Sequence, residues 1–331
     1  METLRAAVAA DPFSGPANRA LGKELLRRGE LDEAQPVLAQ ALRMDPDDAD
    51  ALLAMGDVYA AKNLWAQAEP RYRSALSLKP KDSEAGRKLG LALAQQGKLD
   101  AAVKMLNAAL AAKPGSSEVL SDLGVVYYLQ QRLDEYIAVY KEALASAPDV
   151  TETHARLGAA YLDAGRLDEA YAAFEEARRL DEKHAAARVG LGRVELAREQ
   201  TEKAVETFRQ AIDLDRRSVQ AHYYLGQALE QLGNTDGALE EYEKASQIDD
   251  SSADAPLALG RLLVSQGKHE EAEKHLYLAV KRDGESVEAR LAHGKNLARL
   301  NRPDDAKKHL QKALELDPTS KEAREALDQL K

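Results

Sequence analysis

Nine glycines at one constant interval leave this chain few folds to choose from. Gly22, Gly56, Gly90, Gly124, Gly158, Gly192, Gly226, Gly260 and Gly294 stand 34 residues apart, without an insertion or deletion. Twelve residues beyond each comes an alanine, from Ala34 to Ala306, except where Tyr136 stands in its place. Seven residues later another alanine recurs nine times, from Ala41 through Ala143 to Ala313. A period of this length means one supersecondary unit copied along the chain, each copy burying its apolar face against the next.

Local chemistry predicts two helices per unit. Leu52, Met55 and Tyr59, like Leu120, Leu123 and Tyr127, set an apolar stripe at helical spacing around the glycine. A break follows at Gly29, Asn63, Gly97, Gly165, Gly233, Gly267 or Asn301. A second stripe then carries Leu38, Tyr72, Leu106, Tyr140, Phe174, Phe208, Tyr242, Leu276 or Leu310. Pro46, Pro80, Pro114, Pro148 and Pro318 close their units. Hydrophobic residues make up 44 % of the chain but aromatics only 5 %, so alanine and leucine dominate the interior, as closely crossing helices require. Asp48, Asp82, Ser116, Ser218, Ser252, Ser286 and Ser320 fall where a first helix needs its N-cap. The acidic row two residues on (Asp50, Glu84, Glu118, Asp254, Glu288, Glu322) complements the positive helix terminus.

These residues resemble the tetratricopeptide repeat family, and the likeness covers nearly the whole chain. Met55-Gly56, Tyr59, Ala68, Tyr72, Ala75 and Pro80 follow the family pattern almost completely. The family's tryptophan before the Leu-Gly pair is missing, with Leu52, Leu120, His154 or His222 in its slot. The resemblance implies an all-α, right-handed α-solenoid superhelix of antiparallel helix pairs, whose first helices line a concave groove for peptides or partner helices. The expected organisation is 1–14 as the second helix of an incomplete preceding repeat, 15–320 as nine consecutive units, and 321–331 as a C-terminal capping helix. The cap rests on Ala323, Ala326, Leu327 and Leu330 at helical spacing.

Composition removes several function classes. Acidic residues exceed basic ones by 56 to 46, a net charge of −10 that argues against a general nucleic-acid binder. Cysteine is absent, which removes disulfides, thiolate metal sites and cysteine nucleophiles. No apolar run is long enough to span a membrane. Met1 to Ala10 lack the pattern of a secretory signal, so the cytoplasm is the default compartment. Leu4, Ala7 and Pro12 match a second helix in phase with Gly22, so Met1 opens inside a repeat. That points to a fragment of a longer protein, with a natural half-unit cap as the other reading, and it leaves the compartment open.

No catalytic pattern emerges. Gly190-Leu191-Gly192 falls inside a helix, where it cannot cradle phosphate. Glu175-Glu176 and Glu240-Glu241 have Arg or Lys nearby and read as solvated faces. His154 and His222 occupy a packing slot two repeats apart, while His275 and His309 hold equivalent places in adjacent units and are expected as neighbours. Two histidines make at most an incomplete metal site. The expectation is therefore no enzyme, no metal and no cofactor.

By resemblance, the groove face carries the residues three before and one, four and five after each glycine. That selects Arg19, Lys23 and Arg27, then Arg87, Leu91, Val125, Tyr128, Leu129, Leu162, Arg193, Tyr223 and Gln227, then Arg261, Lys295 and Arg299. Leu26, Val189, Leu196, Leu257, Val264 and Leu291 share the face and could equally pack against neighbouring helices. The expected surface has an apolar, tyrosine-bearing centre and basic ends. Ala54 stands where the family's chaperone-binding clamp wants asparagine, and the row Ala20, Ala54, Lys88, Asp122, Arg156 is no asparagine ladder.

The function expected is a non-catalytic scaffold or adaptor binding a peptide or helix of a partner protein. Two alternatives are the recruiting arm of a larger enzyme or envelope, secretion or pilus assembly protein, and a self-assembling solenoid stacking through its N-terminal edge. Three departures stand out. Tyr136 is expected to push helices apart or project outward, and Pro36 and Pro70 to kink two second helices.

Overall fold

The computed structural model describes residues 1–330, which form twenty α-helices and no strand. They fall into two compact units, Met1–Gly165 and Arg166–Lys331. The first unit holds α1 (Glu2–Ala10), α2 (Gly15–Arg27), α3 (Leu31–Met44), α4 (Ala49–Ala61), α5 (Trp65–Leu78), α6 (Ser83–Ala94), α7 (Leu99–Ala112), α8 (Ser117–Leu129), α9 (Leu133–Ser146) and α10 (Thr151–Asp163). The second holds α11 (Leu167–Leu180), α12 (Ala185–Ala197), α13 (Thr201–Leu214), α14 (Val219–Gln231), α15 (Thr235–Ile248), α16 (Asp254–Ser265), α17 (His269–Arg282), α18 (Val287–Arg299), α19 (Pro303–Leu316) and α20 (Lys321–Asp328). Within each unit every helix packs on its chain neighbours, and first helices also touch, as α2 does α4, α6 does α8, and α16 does α18. This is α-solenoid packing, helical hairpin on helical hairpin.

The recurrent glycine has a specific steric task. A Cβ on Gly56 would lie 2.4 Å from Tyr72 Cε1, and one on Gly192 would lie 2.5 Å from Phe208 Cε1. In both cases the second-helix side chain sixteen residues on rests directly on the first helix's backbone. Gly190 does the same on the other side of α12, where a Cβ would meet Phe174 of α11 at 2.2 Å. The Gly-Leu-Gly run thus admits one phenylalanine from each flanking second helix. The alanines complete the crossings, with Ala34, Ala68, Ala102 and Ala170 fully buried.

Helix ends follow mostly from capping chemistry. Asp48 and Asp82 accept from the first free backbone N–H groups, as do the hydroxyls of Ser218, Ser286 and Ser320. Ser252 is not the N-cap expected of it: the N-cap of α16 is Ala253, one residue later, and the Ser252 hydroxyl only accepts from Asp254 N at 3.2 Å. Ser116 departs from expectation, because its hydroxyl donates to the Glu118 carboxylate at 2.8 Å instead of accepting from the helix. Between paired helices the stop residue takes positive φ, including Gln131 and Glu199 (φ 59° and 61°), which carry no glycine or asparagine signal.

α3 and α5 run through Pro36 and Pro70 as continuous helices. Both prolines are exposed, and so are Asp32 and Ala66, whose carbonyls lose an intrahelical donor to them. Water can serve those carbonyls. Tyr136 does not project outward. It is buried at 8 % exposure, its ring 5.4 Å from Tyr140 and 5.6 Å from Tyr128. α20 buries Ala323 and Ala326 against its neighbours α18 and α19.

The vacant tryptophan slot has its own chemistry. His154 Nε2 lies 2.7 Å from the Pro148 carbonyl and His222 Nε2 lies 3.2 Å from that of Arg216. Asn18, Arg188, Arg290 and Arg324 reach back the same six residues to the carbonyls of Pro12, Glu182, Gly284 and Pro318. A polar side chain here satisfies an inter-repeat carbonyl.

Candidate functional site

In the first unit the expected groove cations are largely engaged. Arg19 pairs with Asp48, the N-cap of α4, at 2.7 Å, tying α2 to the start of the next first helix. Arg27 pairs with Glu24 on its own helix at 2.7 Å, and that bond, seconded by Arg28, pulls the Glu24 carboxyl down to about 2. Arg87 bridges Glu84 at 3.1 Å and Asp122 of α8 at 3.0 Å. Burial nevertheless raises the Asp122 carboxyl, against the pull of Arg87. Lys23 forms no close ion pair among the described residues, while the nearby Asp50 is held by Lys79 at 2.7 Å.

The apolar centre is a different matter. Val125, Tyr128 and Leu129 lie on α8 with 44 %, 43 % and 52 % of their surface in water. Leu91 on α6 and Leu162 on α10 are half-buried. Tyr128 is braced from below by Tyr136, which in turn meets the core through Tyr140. The tyrosine in the alanine slot thus supports a surface aromatic. Its bulk accompanies a looser pairing of α8 with α9 than is found in the hairpins α2–α3, α4–α5 and α6–α7.

In the second unit the first-helix face holds a cleft of about 470 Å³. Tyr223, Gln227 and Arg261, expected from the sequence, meet there with Glu230, Tyr242, Asp254, Leu257 and Glu288. Gln227 Nε2 donates to Tyr223 Oη at 3.1 Å, and the Tyr223 ring sits 5.7 Å from that of Tyr242. The Tyr242 hydroxyl donates to Glu230 at 2.8 Å, and burial first, then that carboxylate, drive its pKa far upward. Arg261 is paired with Glu288 of α18. Sequence reasoning missed the acids because Asp254 and Glu288 read as first-turn complements to the helix dipole. Glu230 lies four residues after Gly226, on the face already chosen, and that spacing could have found it.

The remaining positions divide. Arg193 lies over the Tyr224 ring at 4.9 Å, Lys295 pairs with Glu322 of α20 at 2.6 Å, and Arg299 is exposed with no close ion pair among the described residues. Val189 and Leu257 are buried at 2 % and 8 %, so for them the packing reading wins. The expected basic ends are partly paired. Arg19, Arg261 and Lys295 each meet an acid at the start of the next first helix, 27 to 29 residues on, whereas Lys23 and Arg299 form no close ion pair among the described residues.

The histidines also resolve. The close pair is His293 with His309, ring centroids 4.4 Å apart, because first-helix His293 lies beside α19. His222 is not merely packed, since its Nδ1 meets Glu241 at 2.5 Å. Among the described residues no group of three His, Asp or Glu side chains could hold a metal, and no helix is long and apolar enough to cross a membrane.

Paired antiparallel helices stacked hairpin on hairpin, with a first-helix glycine under the side chain sixteen residues on, define a helical-repeat interaction scaffold. The chain belongs to the tetratricopeptide repeat family. Models of that repeat match residues 19–83, 87–150 and 191–256, a second matches 149–217, and a third matches 229–295 and 263–330. Among curated proteins no match is found. Solved structures agree on the fold. A tetratricopeptide repeat protein from Parabacteroides merdae superposes with TM-score 0.61 at 16 % identity, over 85 % of this chain and 98 % of its own. The human IFIT1 dimer with m7Gppp-AAAA gives 0.60 at 16 % identity, over 96 % of this chain and 80 % of its own.

Proposed function

We propose that this scaffold captures an extended peptide or a helix of a partner protein on its first-helix faces. The observation that carries the reading is the cluster of Val125, Tyr128 and Leu129, three large apolar side chains side by side in water on one helix. Apolar surface gathered in this way marks an interaction site, and tyrosine is a frequent binding hot spot. Tyr136 supports it, since a buried aromatic holding a surface aromatic in place lowers the ordering cost of binding.

The test is capture with and without the cluster. Val125→Ser, Tyr128→Ser and Leu129→Ser together remove the apolar patch without touching a core residue. A pull-down from the native host's extract, quantified by mass spectrometry, should lose its specific partner while circular dichroism stays unchanged. Retention of every specific partner by the triple variant would overturn the reading.

A further inference from the structure

We infer that the cleft of the second unit receives a cationic side chain, arginine or lysine, from an extended segment of a partner protein. The inference deepens the scaffold reading and rests on it. Three carboxylates, Glu230, Asp254 and Glu288, face one guanidinium, Arg261, so the cleft holds an excess of two negative charges. Arg261 is spoken for by Glu288. Glu230 has only the Tyr242 hydroxyl, at 2.8 Å, and Asp254 has the Ser252 hydroxyl, at 3.2 Å. Among the described residues no cationic side chain forms an ion pair with either.

Shape and aromatic content favour a long cation over a metal ion or a small polar molecule. The volume of about 470 Å³ is of ligand-pocket size. Tyr223 and Tyr242, ring centroids 5.7 Å apart, both line the cleft, and aromatic rings attract a guanidinium or ammonium. Arg261 already shows the chemistry, because an arginine of the chain itself lies in the cleft against one of its carboxylates. An incoming cation would repeat that contact at Glu230 and Asp254. An anionic ligand is disfavoured, since the one cation that could hold it is neutralised and two carboxylates without a cationic partner would repel it.

Arg261 offsets one of the three negative charges of the cleft, and this makes the inference directional. The probe is a fluorescein-labelled Gly-Ser peptide bearing two arginines, compared with the same peptide carrying neutral citrulline. Fluorescence anisotropy with the full chain should show the arginine peptide binding at least about tenfold tighter than the citrulline peptide, a difference of about 1.4 kcal/mol. Glu230→Gln with Asp254→Asn should weaken the arginine peptide by about tenfold, and Arg261→Gln should tighten it. Glu202→Gln with Asp236→Asn, which removes as much charge from exposed second-helix positions, should leave it unchanged. Equal affinity for citrulline, weaker binding by Arg261→Gln, or an equal loss in the Glu202/Asp236 control would each overturn the inference. The Val125/Tyr128/Leu129 variant should bind the arginine peptide normally, so failure of the apolar-patch reading and failure of this one are separately visible.

Discussion

The Nδ1 of His222 lies 2.5 Å from a carboxylate oxygen of Glu241, while its Nε2 faces the Arg216 carbonyl at 3.2 Å. Both contacts favour the imidazolium, the Glu241 bond most, and together they raise its pKa above 6.5 against burial and the nearby Lys244 charge. In the unfolded chain the ring titrates near 6.5. The stabilisation is complete below that pH and is lost as pH rises through the higher folded value. Stability should therefore fall on the alkaline side of 6.5, by no more than about 1.4 kcal/mol per pH unit. His222→Gln should flatten that limb in urea unfolding between pH 6 and 8.

His293 has the opposite sign. Buried at 2 % exposure, with neither ring nitrogen hydrogen-bonded, it is pushed down to about 4 by burial and then by His309, while Glu273 at 3.7 Å pulls the other way. The unfolded chain takes up the proton first as pH falls from 6.5, so stability drops from there toward about pH 4. Replacing the ring with leucine (His293→Leu) should make the acid limb shallower. His275 and His309, both lowered by burial, would keep part of it. Unfolding midpoints at pH 4.5, 5.5 and 6.5 check the change in slope.

Glu199 and Gln131 hold left-handed backbone with side chains that resist it. Glu199→Gly and Gln131→Gly should each stabilise the protein by about 1 kcal/mol. Thermal unfolding read by circular dichroism would show a higher midpoint for both. A lower midpoint would mean that the backbone strain is absent.

Gly56→Ala should cost about 1–3 kcal/mol, because the new methyl would lie 2.4 Å from Tyr72 Cε1. The ring cannot yield easily, since its hydroxyl is fixed to Asp57 at 2.9 Å. In a Tyr72→Ala background the same change should cost little. A double-mutant cycle by urea unfolding would measure the coupling between the two positions.

Much of the fold was legible in the sequence because the repeat states each rule nine times. The glycine, its second-helix partner and the turn were fixed by spacing alone. Gln131 and Glu199 escaped notice because stacking of the flanking helices forces their backbone where no glycine advertises the turn. Ser116 misled because a neighbouring carboxylate competes for its hydroxyl. The candidate site was less legible. Tyr223, Gln227 and Arg261 meet in one cleft, but a face read one helix at a time hides ion pairs between helices. Arg261 and Glu288 sit 27 residues apart and become neighbours only when hairpins stack.

The contact between a first-helix glycine and the side chain sixteen positions later, as between Gly56 and Tyr72, bears on how the molecule is made. Loops that short close quickly and at small entropic cost. A hairpin can lock as soon as its second rod leaves the ribosome, without waiting for distant sequence. Synthesis and folding can then advance together, each finished hairpin serving as the template on which the next one lands.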